Sequence, residues 1–226
     1  MNRALILQAK GQDGCTWYRL ENMRRHIQGL LMEFIDLSLS TNLLAKMIES
    51  ADVFILRLSD LVAFDMYDIV FKSNPKPVIV DIDDNFEMID PLSEMYRAYG
   101  TQEVLLPGGS HLWKDGQNGF SVKKNTERLE KYKDILRNAT VITTTTFKLR
   151  QHALQFNKNV VVIPNSIDSQ FFPEMPKRTG TLDIVWAGGS SHYSDLMEIK
   201  DPLTRILNKY PDVHLHILGV PFKGFL

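Results

Sequence analysis

Short apolar runs alternate along this chain with longer stretches whose apolar residues recur at helical spacing. Strands are predicted at Ala4–Gln8, Met32–Leu37, Val53–Leu56, Val78–Ile82, Val141–Thr143 and Val160–Ile163, with a further one at Leu182–Ala187. Amphipathic stretches between such runs are the pattern of crossover connections in a parallel sheet. A helix over Trp17–Gly29 turns Leu20, Met23 and Ile27 inward and stops at Gly29, whose freedom in φ suits a C-terminal cap. Thr41 is the expected N-cap of a second helix with Leu43, Leu44, Met47 and Ile48 on its inner face. Lys123–Asn138 reads as a charged surface helix with Leu129, Tyr132 and Leu136 inward, and Thr146–Phe156 follows the next strand. The methionines at 23, 32, 47 and 66 fall on inward positions and read as core filling.

Two regions break this rhythm. Residues 100–122 (GTQEVLLPGGSHLWKDGQNGFSV) are too rich in glycine and polar residues for a regular element and read as a long lid or acceptor loop. Residues 164–181 carry three prolines before a new strand begins, as an interdomain linker does. The expected fold class is therefore α/β. A Rossmann-like parallel-sheet domain spans 1–168, a linker 169–181, and the incomplete start of a second Rossmann-like domain 182–226.

Composition narrows the function classes. At 226 residues and 44% apolar, the chain can bury one full core and part of another. A formal net charge of -1 provides no field to gather nucleic acid, so no nucleic-acid partner is expected and any phosphate must be met by local groups. Cys15 is the single cysteine, which excludes an intramolecular disulfide and an all-cysteine zinc site and fits a reducing cytoplasm. The N-terminus lacks the apolar stretch of a signal peptide, and no segment approaches the roughly 20 apolar residues that span a bilayer.

In an open parallel sheet, the loops after the strands are where ligands bind, and four of these are unusual. After the first strand, Gly11, Asp13 and Gly14 precede a helix start whose free N–H groups could receive a phosphate or a sugar hydroxyl; Tyr18 and Arg19 sit on its first turn, where an arginine adds charge-assisted bonds to an anion. A tight turn with a solvated arginine is the bland alternative. In PVIVDIDDNF, alternation sends Asp81 and Asp83 to one face, with Asp84 beside them. These carboxylates could hold a divalent cation, present a phosphatase nucleophile, bind or deprotonate an acceptor hydroxyl, or simply be solvated. The glycine-rich loop carries His111 and Trp113, suited to hydrogen bonding and stacking on a pyranose, or to anchoring the loop. In AGGSSHYSDL, Gly188 and Gly189 allow close backbone approach to a phosphate, with serines 190, 191 and 194 as donors and His192 beside them. His214 and His216 share one face of a strand without a third ligand nearby and read as a sheet face or interface; Cys15 packs or lines its loop.

Taken in order, these segments resemble GT-B glycosyltransferases of the retaining, family 4-like kind. VVIPNSID (161–168) resembles the segment that closes their N-terminal domain, with Ser166 where glycine is usual, and NATVITTTTFKLRQHAL resembles the strand and helix before it. LDIVWAGGSSHYSDLMEIKDPLTRILNKYPDVHLHILG resembles the start of their donor-binding domain, while DGCTWYRLENM and VDIDDN match a subset of such proteins. The resemblance implies a nucleoside-diphosphate sugar as co-substrate, held mainly by the second domain, and a glycan, protein or other hydroxyl acceptor held mainly by the first. It implies transfer in the cleft between them, with N–H dipoles, Arg or Lys in place of an obligatory metal or other cofactor. It places Gly11, Gly14, Arg19, Gly188, Gly189 and His192 on the donor side and Asp13, Tyr18, His111 and Trp113 on the acceptor side. Asp83 and Asp84 become the catalytic carboxylates. The family's donor-side glutamate pair finds no match before Leu226, so full activity is expected to need further residues. A non-catalytic carbohydrate- or nucleotide-binding module is the alternative, and a metal-dependent phosphatase using Asp81 and Asp83 a third reading.

Overall fold

The computed structural model describes residues 2–8, 14–58, 64, 66–68, 71, 76–171, 180, 182–189 and 192–219. The chain divides into two compact units, Met1–Asn85 with Leu129–Pro173, and Phe86–Arg128 with Glu174–Leu226.

The first unit is built on a six-stranded, wholly parallel sheet. Its strands are β1 (Asn2–Ile6), β2 (Leu30–Phe34), β3 (Val53–Arg57), β4 (Val78–Ile82), β7 (Val141–Thr144) and β8 (Val160–Val162), in the order β2-β1-β3-β4-β7-β8. This is a doubly wound, Rossmann-like α/β domain, in agreement with the expected class, and the winding reverses between β1 and β3. Both faces are covered. Ala4, Ile6, Met32 and Ile55 pack with Leu20 on one side, whereas Leu5, Leu7, Phe54, Leu56, Val80 and Ile82, on the other face by strand alternation, are also buried.

In the connection after β1, the described residues from Gly14 to His26 are helical but change their winding. Gly14–Thr16 and Asn22–His26 are α-helical, and the intervening Trp17–Glu21 forms a π-turn. The helix stops at His26; Ile27 is extended and exposed, contrary to its expected inward place, and Gly29 takes φ 78° in the following turn. The next helix, Thr41–Ser50, has Ser40 rather than Thr41 at its N-cap, and Leu43 on its expected inner face is exposed. Helix Val122–Asn138 buries Leu129, Tyr132 and Leu136 as its spacing predicts. Thr146 caps Phe147–Ala153, its Oγ1 accepting from the Leu149 N–H at 3.1 Å.

In the second unit, the glycine-rich stretch expected to be a long irregular loop contains the antiparallel pair β5 (Val104–Leu105) and β6 (His111–Trp113). Glycines at 109, 116 and 119 supply the positive φ that its tight turns need. Aromatic side chains of this stretch pack together: Trp113 lies 5.8 Å from Phe120 and 6.1 Å from Tyr96, ring centre to ring centre. Asn125 donates to the carbonyls of Arg97 and Gly100, at 2.9 and 2.8 Å. The same unit holds a βαβ element, in which β9 (Asp183–Gly188) and β10 (His214–Gly219) pair in parallel and Tyr193–Glu198 and Lys200–Lys209 form the crossover. Leu196 and Leu203 pack on Ile184, Trp186, Leu215 and Ile217. His214 and His216 stand exposed, with His216 Nε2 3.1 Å from Asp183 Oδ1.

A Cβ on Gly100 would lie 2.1 Å from the Tyr96 ring, so Gly100→Ala must displace the ring that packs on Trp113 and Phe120. The expected cost is about 1–3 kcal/mol, seen as a lower urea midpoint together with loss of near-ultraviolet circular dichroism from the aromatic group.

Candidate functional site

The winding reversal places the ligand crevice of such a sheet beyond the carboxyl ends of β1 and β3, and buried polar side chains concentrate there. Gln8 follows β1, Arg57 ends β3, and Asp81 and Thr143 stand near the ends of β4 and β7; all four are buried. Gln8 Nε2 donates to Thr16 Oγ1 at 3.1 Å, and Gln8 Oε1 accepts from Arg57 Nε at 3.3 Å. Arg57 Nη1 lies 3.5 Å from Asp83 Oδ2. Asp83 sits one residue past the strand; its Oδ1 is buried with no hydrogen-bond partner among the described residues.

Arg19 and Asp81 form a second pair, with each side chain only 1% exposed. Arg19 Nη2 donates to Asp81 Oδ1 at 2.5 Å and Nε to Oδ2 at 3.1 Å, a fork on both carboxylate oxygens. Thr143 Oγ1 donates to Oδ1 at 2.5 Å. The remaining Arg19 nitrogen donates to the Ile163 carbonyl and to Asn165 Oδ1. The two carboxylates that strand alternation predicts as one negative site are thus divided between two arginines. Among the described residues no three His, Cys, Asp or Glu side chains converge as metal ligands.

Arg19, Asn22 and His26 follow i, i+3, i+7 spacing, a polar stripe on one helix face. Each holds the segment that follows β8. Asn22 Nδ2 donates to the Ser166 carbonyl at 2.8 Å, and His26 Nε2 lies 2.9 Å from Asp168 Oδ2. Arg25 stacks over Trp17 and Phe171, 4.6 and 5.2 Å from their centroids. Between the stripe and residues 163–169 lies a cavity of about 380 Å³. The Gln170 backbone N–H, and then His26, hold the Asp168 carboxyl below its ordinary range.

Of the residues expected at a site, Gly11 and Asp13 lie outside the described residues, as do serines 190 and 191. Gly14 begins the helix and is exposed; Tyr18 lines the cavity beside Arg19. Arg19 is no free cation for a phosphate, because Asp81, Ile163 and Asn165 occupy its donors. Asp84 is exposed, unlike Asp83. His111 is exposed on β6, whereas the Trp113 indole N–H donates to the Pro91 carbonyl at 2.6 Å, which makes the ring an anchor of its own loop. Gly188 is covered from within: a Cβ there would meet the Trp186 ring at 2.6 Å and His192 Cβ at 3.3 Å, so the expected open cradle is filled by the strand's own indole. A Cβ on Gly189 would meet nothing within 4 Å among the described residues, and His192 is exposed with Nδ1 2.8 Å from Asp195 Oδ2. The sequence reading overlooked Gln8, Arg57, Asn22, His26 and Asp168, although the polar stripe at 19, 22 and 26 was visible as helical spacing.

No family model matches the chain, and no curated protein does. Among solved structures it is similar to one described as "S. aureus MnaA-UDP co-structure", at 11% sequence identity and a TM-score of 0.48, covering 100% of this chain and 64% of that one. Among the described residues, no helix is long and apolar enough to cross a membrane.

Arg19→Leu strands a buried carboxylate and is expected to cost about 3–5 kcal/mol in urea unfolding; a solvated or phosphate-binding arginine would leave stability within about 0.5 kcal/mol. Asp168 is expected to titrate below about 3.9 when followed by ¹³C NMR. Because its folded pKa is depressed, its contribution to stability is complete above that pH and is lost as the pH falls through the folded value.

Proposed function

We propose that this protein transfers a sugar from a nucleoside-diphosphate sugar to a hydroxyl acceptor, in the manner of GT-B glycosyltransferases. The observation that supports it is Asp83. One of its oxygens faces Arg57, while the other is buried and partnerless among the described residues, at the carboxyl end of a doubly wound sheet. A carboxylate oriented by a guanidinium on one side, with an acceptor oxygen left over, can bind a hydroxyl and draw on its proton as the oxygen attacks the sugar. The ordered resemblance of VDIDDN, VVIPNSID and the β9–β10 segment to that family supplies the reaction class. Asp84 is exposed and takes a secondary role beside Asp83.

The donor side rests on the resemblance. With Gly188 covered by Trp186, the close backbone approach to a diphosphate falls to Gly189, around which a Cβ would meet nothing within 4 Å among the described residues. The phosphatase reading loses its nucleophile, because both Asp81 oxygens are already engaged by Arg19 and Thr143 in a fully buried position.

The test is nucleoside diphosphate release by the full-length gene product from a panel of sugar nucleotides, with and without hydroxyl acceptors. Acceptor-dependent release is the expected result, and none with any donor overturns the reading. Asp83→Asn is expected to lower kcat/KM about 10²–10⁴-fold while the KM for the sugar nucleotide stays unchanged; an equal loss through donor KM would place Asp83 elsewhere in the reaction.

A further inference from the structure

Three buried polar side chains form a row across neighbouring strand ends at the winding reversal. Gln8 follows β1, Arg57 closes β3 and Asp83 follows β4, and these three strands are adjacent in the sheet. Gln8 is 6% exposed, and the side chains of Arg57 and Asp83 are 6% and 9% exposed, so protein groups rather than bulk water set their directions. The transfer reading uses Asp83 and Arg57 and leaves Gln8 without a role.

The row has a direction. Arg57 Nε can only donate, so the atom of the Gln8 amide that faces it at 3.3 Å is Oε1, which leaves Nε2 to donate to Thr16 Oγ1 at 3.1 Å. Thr16 belongs to the helical segment after β1, so the amide is pinned between a strand end and a helix. A guanidinium is planar, and an acceptor fixed on Nε sets that plane and aims the Nη groups. Arg57 Nη1 lies 3.5 Å from Asp83 Oδ2, beyond the usual hydrogen-bond range, so this pair depends on how the guanidinium is aimed. Gln8 also brings no charge of its own. A glutamate there would compete with Asp83 for the cation, and a hydrocarbon would withdraw the acceptor from a buried N–H. Arg19 differs, since its plane is fixed by the carboxylate of Asp81 itself.

We infer that Gln8 is a positioning residue, which fixes the Arg57 guanidinium against the helix after β1 and through it sets the orientation of the Asp83 carboxylate. Its consequence for catalysis rests on the transfer reading. The orienting contact itself does not, because it is a property of the folded chain without any sugar nucleotide.

The experiment has an arm for each. In the first, the Asp83 side-chain carboxyl of the full chain is followed by ¹³C NMR. Gln8→Met, which keeps the length and loses both bonds, is expected to move this resonance although the contact between residues 8 and 83 runs through Arg57. Thr16→Val, which releases only the far end of the amide, is expected to move it less. In the second, Gln8→Met is expected to lower kcat for sugar transfer about 10–10²-fold with the KM for the sugar nucleotide unchanged. In an Asp83→Asn background the same substitution is expected to cost about twofold or less, because a residue that acts through Asp83 has nothing left to act on. A residue that only supports the fold would cost the same in both backgrounds. Should Gln8→Met fail to fold, Thr16→Val carries both arms with the same signs. An Asp83 resonance unmoved by every folded variant overturns the inference, and so do equal losses in the two backgrounds. A resonance that moves while no sugar nucleotide supports transfer leaves the positioning role standing and removes the transfer reading, which tells the two failures apart.

Discussion

Burying a guanidinium against a carboxylate removes both from water, a cost recovered only when geometry is good and the remaining hydrogen-bonding groups are satisfied. Arg19 and Asp81 meet that condition, and much of the first unit is arranged to let them. Asp81 stands on β4 and receives a hydroxyl from Thr143 on β7, while Arg19 comes from the helix after β1 and reaches the Ile163 carbonyl just past β8. Four elements far apart in sequence therefore share one buried electrostatic contact. Removing either partner would leave a charge in a place that excludes water.

The helix winding serves that contact. Arg19, Leu20, Glu21 and Asn22 are consecutive and all buried, a run that needs packing on nearly every side of one turn. This turn is the π-segment, whose wider winding shifts the residues after it relative to those before. Leu20 then enters the sheet-face core, while Arg19 reaches Asp81 and Asn22 reaches Ser166. Glu21, turned elsewhere, is held by Arg24 and Arg25. A segment rich in polar residues thus becomes the fastening between the sheet and the chain after β8, with Arg25 lying over the edge-on pair Trp17 and Phe171.

This arrangement separates structural charge from chemical opportunity. Asp81 and Arg19 satisfy one another, whereas Asp83 and Asn22 each keep a buried oxygen without a partner among the described residues. One leftover acceptor stands at the end of β4 and the other on the helix face that holds the chain after β8. A cation for a diphosphate would have to come from elsewhere, since Arg19 and Arg57 already face carboxylates.

Periodicity made the scaffold legible. Strand positions and the inward stripe Leu129, Tyr132 and Leu136 follow from local rules that hold wherever the chain lies, because side-chain direction along a helix or strand is fixed by backbone geometry. Glycine-rich residues 100–122 misled because turn-forming glycines and distant aromatic rings read as irregular until they are seen to pack together. Trp113 is the example, equally suited on paper to a sugar or to its own core. Charged residues were the least legible, since Arg19 beside a glycine loop and Asp81 beside Asp83 look the same whether solvated, ligand-facing or paired. The chain's own order of apolar and polar positions determined the parallel α/β sheet and which loops follow its strands. Which charges neutralise one another, 62 residues apart for Arg19 and Asp81, was decided only by the fold, because Coulomb energy and desolvation depend on distance and burial, neither of which a linear sequence contains.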